Sequence, residues 1–201
     1  MKLKICGMKH EENIKEIAQL QPDYMGFIFY EKSPRFFNGY IPILPQATQK
    51  IGVFVDAYLD DILSKVQRYN LQFVQLHGNE TPEFCKVFQQ TDIQVIKAFS
   101  IDDDFDFNTI LPYEAVCDYF LFDTKGEKPG GNGTTFNWQM LDKYTLTKPF
   151  FLSGGIGLEE IAHIKHLGLP VHAIDVNSKL EIQPGLKNVG YCEKLIATLH
   201  S

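Results

Sequence analysis

The sequence predicts an α/β protein, a single (β/α)8 TIM barrel domain over residues 1–201, with eight parallel strands inside and helices outside. Three observations carry this. Eight short β-rich runs recur along the chain, and apolar residues at helical spacing fill most of the gaps between them. The length, 201 residues, suits one barrel near the lower size limit, and no low-complexity linker marks a second domain. A five- or six-stranded open sheet is the alternative, because counting runs is error-prone.

The runs are Lys2–Cys6, Met25–Phe29, Ile51–Val55, Phe73–Leu76, Ile93–Ala98, Tyr119–Asp123, Phe150–Ser153 and His172–Val176. Between the first two, Ile14, Ile17 and Ala18 give a short helical stripe. Leu59, Ile62, Leu63 and Val66 fall at i, i+3, i+4 and i+7 after the third run, as do Cys192, Leu195, Ile196 and Leu199 after the eighth. Thr81-Pro82 reads as an N-cap with proline in the first helical position. The segment from Ser100 to Val116 is acidic and aromatic without a clear period, so the helix after strand 5 is expected to be short or irregular. Leu158, Ile161 and Ile164 suggest a helix after the seventh run.

Composition narrows the function classes. A net charge of −6 with no basic stripe argues against nucleic acid. No apolar stretch approaches the roughly 20 residues that span a bilayer, and the first residues lack the pattern of a signal peptide. A cytoplasmic protein with no membrane partner is expected. Cys6, Cys85, Cys117 and Cys192 are scattered without metal-ligand spacing, so free thiols and no metal are expected.

In a barrel of this kind, ligands gather at the carboxyl ends of the strands, and loops 7 and 8 often hold a phosphate. Cys6 closes the first run, either as a small core filler or as a reactive thiol. The seventh run ends in Ser153-Gly154-Gly155 and the eighth in Asp175-Val176-Asn177-Ser178. Paired glycines let backbone N–H groups approach an anion, and a following helix start would add more. Asp123 ends the sixth run, and the glycine-rich stretch Gly130–Gly133 separates it from any helix it could cap. Arg35, in Ser33-Pro34-Arg35, offers a planar grip on a carboxylate or a merely solvated loop cation.

Together these segments resemble the phosphoribosylanthranilate isomerase family, (β/α)8 enzymes of tryptophan biosynthesis. The resemblance runs nearly end to end: Lys4-Ile5-Cys6-Gly7, Gly26-Phe27-Ile28-Phe29, Ser33-Pro34-Arg35, Gly52-Val53-Phe54-Val55 and Gln75-Leu76-His77-Gly78. It continues through Asp123, Gly130-Gly131-Asn132-Gly133 with Phe136-Asn137-Trp138, and Ser153-Gly154-Gly155 to Asp175-Val176-Asn177-Ser178, Glu181 and Pro184-Gly185. It implies an Amadori rearrangement of N-(5′-phosphoribosyl)anthranilate, without cofactor or metal. By the same resemblance Asp123 is the general acid and Cys6 the base, Arg35 holds the anthranilate carboxylate, and the backbone of Gly154, Gly155, Asn177 and Ser178 holds the phosphate. Such a base calls for a lowered thiol pKa, and the acid for a raised carboxyl pKa.

His77 is expected to bond barrel-top loops rather than substrate, and Lys97 to be a buried lysine with a paired head rather than a Schiff-base former. Lys9, Lys179, Asn137 and Asn188 depart from the family pattern; Lys9 removes a possible N-cap, and Lys179 puts the phosphate loop's geometry in doubt. Two rivals are the related sugar isomerase of histidine biosynthesis, which needs an acidic residue in place of Cys6, and a non-catalytic phosphosugar-binding barrel. Phe36, Phe37 and Tyr40 are candidate exposed aromatics, forming either a dimer patch or a lid, so monomer and homodimer both stay open.

Overall fold

A computed structural model describes residues 1–124 and 138–200. The eight expected runs become strands β1 (Lys2–Ile5), β2 (Tyr24–Ile28), β3 (Gln49–Phe54), β4 (Phe73–Leu76), β5 (Gln94–Ile101), β6 (Tyr119–Thr124), β7 (Phe150–Leu152) and β8 (Val171–Val176). They close in sequence order, every pair parallel, with β8 returning to β1. An open sheet is thereby excluded. Two packed layers explain why the strands read as near-continuous apolar runs. Tyr24, Ile51, Phe73, Ile96, Leu121 and Phe151 fill the barrel interior, and a larger apolar layer lies between strands and helices.

The helices are α1 (Glu11–Gln19), α2 (Leu59–Tyr69), α3 (Pro82–Lys86), α4 (Ile161–Ile164) and α5 (Val189–His200). Ile14, Ile17 and Ala18 are the buried face of α1, and Thr81 Oγ1 accepts from Phe84 N to cap α3. His10, not Lys9, stands at the α1 N-cap and makes no side-chain cap bond. On α2, Ile62 is buried but Leu63 is exposed, so its apolar stripe is narrower than the spacing suggested.

Two fully described connections are irregular. The one from β2 to β3 holds no helix. After β5, a 3-10 segment (Phe107–Tyr113) takes the place of a helix, as expected. Aromatic packing covers the barrel there: the Phe107 ring lies 5.8 Å from Phe122, and Phe99 lies 5.4 Å from Phe120. Another 3-10 segment (Trp138–Lys143) directly precedes β7. Two further outcomes differ from expectation. β5 runs on to Ile101 because Ser100 and Ile101 pair with Asp123 and Thr124 of β6. Phe37 is buried, not exposed; its ring packs 5.0 Å from Phe27 and 5.6 Å from Tyr69, leaving Phe36 half-buried and Tyr40 exposed.

A small antiparallel hairpin, β9 (Glu181–Gln183) and β10 (Leu186–Lys187), follows β8 and turns at Gly185, whose φ of +86° suits glycine. It lays Lys187 against α1, where Asn13 Nδ2 donates to Lys187 O at 2.9 Å. No helix among the described residues is long and apolar enough to cross a membrane.

Candidate active site

Side chains two apart on a strand share a face. The inward face of β1 therefore carries Lys4 and then Cys6 just past its end; β4 carries Gln75 and then His77; β8 carries Asp175 and then Asn177. Asp123 occupies the corresponding upper position on β6. The register places Cys6 level with Asn177, since Ile5 pairs with Val176 and Cys6 N donates to Val176 O at 2.9 Å.

Cys6 is buried, and Gly26 on the neighbouring strand leaves the notch its sulfur occupies. The expected lowering of its pKa is not found. Burial pushes the thiol up and Asp175 adds to the rise, while Lys4 and Lys187 pull it down without cancelling it. Gly7 follows with φ +74°, and a Cβ there would stand 2.7 Å from both Arg35 Cδ and Asn177 Oδ1. That turn accepts only glycine, and it brings the thiol, the arginine and the β8 loop into one place.

Arg35 is not a free loop cation. Its Nε donates to Glu181 Oε1 at 2.9 Å and its Nη2 to Oε2 at 2.6 Å, a two-pronged grip on one edge of the guanidinium. Glu181 also accepts from Lys187 Nζ at 2.7 Å and from Gly185 N at 3.0 Å. Burial alone would push the Glu181 carboxyl up, but Arg35 and Lys187 outweigh it and hold it below the usual range. Burial brings Lys187 down in turn. Its ammonium reaches Asn177 Oδ1 at 2.6 Å, tying the arginine clamp to the end of β8.

Gly154 and Gly155 follow β7 with φ of +101° and +65°, conformations that side chains rarely adopt. Asn177 and Ser178 are half-buried at the end of the adjacent strand. The helix expected to complete this site is displaced. It shrinks to Ile161–Ile164, Leu158 is exposed, and Glu160 Oε2 accepts from Gly157 N at 2.7 Å. After β7 the paired glycines stand without an adjoining helix start, whereas after β8 a short 3-10 turn (Ser178–Leu180) begins directly at Ser178. Lys179 is exposed, with its stem beside Gly157.

Asp123 is about a third exposed (32 %), and His77 Nε2 lies 3.5 Å from its Oδ2. His77 thus bonds interior groups, not the expected loops: its Nδ1 lies 2.9 Å from Gln75 Nε2. Lys97 is buried with a paired head, as expected, its Nζ donating to Glu80 Oε2 at 3.1 Å and to Gly78 O at 2.8 Å. Gly130–Gly133 and Phe136-Asn137 lie outside the described residues. Lys4, Gln75, Asp175, Glu181 and Lys187 carried no role in the sequence reading, yet they form the floor and one wall of the site. Among the described residues, no three His, Cys, Asp or Glu side chains are grouped to hold a metal ion.

A closed parallel barrel that gathers a thiol, a carboxylate, an arginine and two glycine- or asparagine-bearing strand ends at its carboxyl rim is a (β/α)8 barrel of the enzyme type. The family model for N-(5′-phosphoribosyl)anthranilate (PRA) isomerase matches residues 3–198, and the chain belongs to that family. It is 43 % identical to the N-(5′-phosphoribosyl)anthranilate isomerase of Parabacteroides distasonis, over 98 % of this chain and 92 % of that one. The phosphoribosyl anthranilate isomerase structure from Thermotoga maritima superposes with a TM-score of 0.85 at 30 % identity, covering 100 % of this chain and 98 % of its own. A further isomerase structure, solved with reduced 1-(o-carboxyphenylamino)-1-deoxyribulose 5-phosphate, matches at TM-score 0.83 and 28 % identity, with the same coverage.

Proposed function

We propose that this barrel isomerises N-(5′-phosphoribosyl)anthranilate to 1-(2-carboxyphenylamino)-1-deoxyribulose 5-phosphate in tryptophan biosynthesis, with Asp123 as acid and Cys6 as base. Family membership carries the reaction. The roles rest on one observation: Cys6, just past β1, and Asp123, near the end of β6, take inward-facing positions at the same rim as the arginine clamp and the two phosphate-loop candidates.

Asp123 protonates the furanose ring oxygen; the C1–O bond breaks toward that oxygen and leaves an iminium ion at C1. The Cys6 thiolate then takes the C2 proton, and the C2–H electron pair neutralises the iminium to give an enolamine. C1 then takes a proton as the C2 hydroxyl gives one up, which yields the ketose. Arg35 holds the anthranilate carboxylate, and N–H groups of Gly154, Gly155, Asn177 and Ser178 hold the phosphate. Fixing both ends of the substrate suspends the sugar between acid and base, a positional gain without a covalent intermediate. The partner is thus a small phosphorylated sugar–anthranilate, not nucleic acid or a membrane. The chain acts in the cytoplasm as one barrel domain, monomeric or homodimeric.

The test is turnover. Freshly generated N-(5′-phosphoribosyl)anthranilate should lose its anthranilate fluorescence on addition of the purified protein. A protein that binds this substrate without converting it is a phosphosugar-binding barrel, and the proposal fails.

A further inference from the structure

A column of buried polar side chains lies beneath the proposed acid and base. Lys4 is fully buried inside the barrel. Its ammonium donates to Gln75 Oε1 at 2.7 Å and to Asp175 Oδ2 at 2.8 Å, and its charge lies close enough to Cys6 to pull the thiol pKa down. The thiol and the lysine stem border the same notch, since a Cβ on Gly26 would stand 2.7 Å from Cys6 Sγ and 3.1 Å from Lys4 Cε.

The Lys4–Gln75 contact decides more than its own geometry. An ammonium only donates, so the Gln75 atom facing it is the carbonyl oxygen. The amide is thereby oriented, and its NH2 faces His77 Nδ1 at 2.9 Å. Nδ1 must accept, so the ring proton of a neutral His77 sits on Nε2, the nitrogen that faces Asp123 Oδ2 at 3.5 Å. One lysine therefore lies beside the base and reaches toward the acid through two side chains.

We infer that Lys4 is a positioning residue for both proton transfers: it steadies the Cys6 thiolate and, through Gln75, fixes the His77 tautomer whose Nε2–H faces Asp123. This rests on the reading of Cys6 as base and Asp123 as acid. Stability alone is a poor reason for the arrangement, since buried ion pairs are often replaced by apolar groups at no loss. Asp175 Oδ1 is moreover buried without a hydrogen-bond partner among the described residues. The reaction supplies a better reason. Its working form, a protonated carboxyl beside a thiolate, holds the same number of protons as a carboxylate beside a thiol. A cation against the sulfur favours the first arrangement. The charged groups facing Lys4 and Cys6 are Asp175 on β8 and Lys187 on β10, and Asp175 in turn faces Asp123 on β6 and His77 after β4.

Two variants test it. Lys4→Met combined with Asp175→Asn removes the cation without leaving an orphaned carboxylate. The Cys6 titration, read as the 240 nm thiolate absorbance missing from Cys6→Ser, should move up by about one pH unit. Its kcat should fall ~100-fold with KM within about threefold. Gln75→Leu, which alters no charge, should lower kcat about tenfold and leave the thiol titration in place. ¹⁵N-histidine spectra should show His77 as the Nε2–H tautomer in the wild type and as a mixture in Gln75→Leu. An Nδ1–H tautomer in the wild type overturns the inference even if the double variant does not fold. An unmoved thiol titration, or kcat and KM changing together, also overturns it. Full turnover by Cys6→Ser or Asp123→Asn would instead sink the underlying assignment of base and acid.

Discussion

Glu181 holds the Arg35 guanidinium by its Nε–Nη2 edge, with Nη2 to Oε2 at 2.6 Å, although the two residues lie 146 positions apart in the chain. The grip explains how a loop arginine becomes a directional clamp. Arg35 and Glu181 are both largely shielded from water, and Lys187 completes the charge balance. Removing one partner of such a set leaves the others buried and unpaired.

Glu181→Gln keeps the shape and removes the charge. Arg35 and Lys187 then share a neutral acceptor, and the clamp loses its fixed angle. Steady-state kinetics should show KM for the phosphoribosyl-anthranilate rising about tenfold, with kcat changing less, because substrate holding rather than proton transfer is affected. A kcat loss larger than the KM rise would place Glu181 in the chemistry instead.

Gly26→Ala puts a methyl group 2.7 Å from the Cys6 sulfur and 3.1 Å from its Cα. The sulfur or the strand backbone must shift to admit it. Urea unfolding should report a loss of about 1–3 kcal/mol from overpacking. Activity should fall ~10-fold or more in protein that is still folded, because the base is displaced. Unchanged activity would mean that the position of the sulfur is not critical.

His172 supplies a pH dependence far from the chemistry, at the start of β8. Burial lowers its pKa to about 4, with Lys2 contributing, and its Nε2 lies 2.7 Å from the Tyr24 hydroxyl. The folded value is depressed, so the stability it contributes is present above the unfolded pKa of about 6.5 and is lost as pH falls toward 4. After discounting for partial exposure, about 1–2 kcal/mol should disappear between pH 7 and 5. Denaturant unfolding of wild type and His172→Gln over that window should differ by this amount. Parallel curves would remove His172 as the cause.

The eight strands were legible because each is buried on both faces and reads as an apolar run. Their ends were less so. β5 continues through Ser100 because β6 pairs with it, and a single strand's sequence does not record its neighbour. The segment after β7 has helical spacing at Leu158, Ile161 and Ile164, yet only Ile161–Ile164 is helical, because Leu158 faces outward. Within the site, a usable signal went unread: polar residues two apart in otherwise apolar strands, Lys4 with Cys6, Gln75 with His77, and Asp175 with Asn177. That period marks a polar column inside a barrel. Glu181 and Lys187 had no such signal, since they reach Arg35 and Asn177 only when the β9–β10 hairpin folds back over the rim.

The central claim is that Cys6 and Asp123 carry the two proton transfers, and the most direct measurement is kcat for Cys6→Ser and Asp123→Asn in the fluorescence assay. Both substitutions are near-isosteric, so thermal midpoints should stay close to that of the wild type. Each should lower kcat by ~10²- to 10⁴-fold with KM little changed. Either variant turning over substrate at the wild-type rate would contradict the assignment.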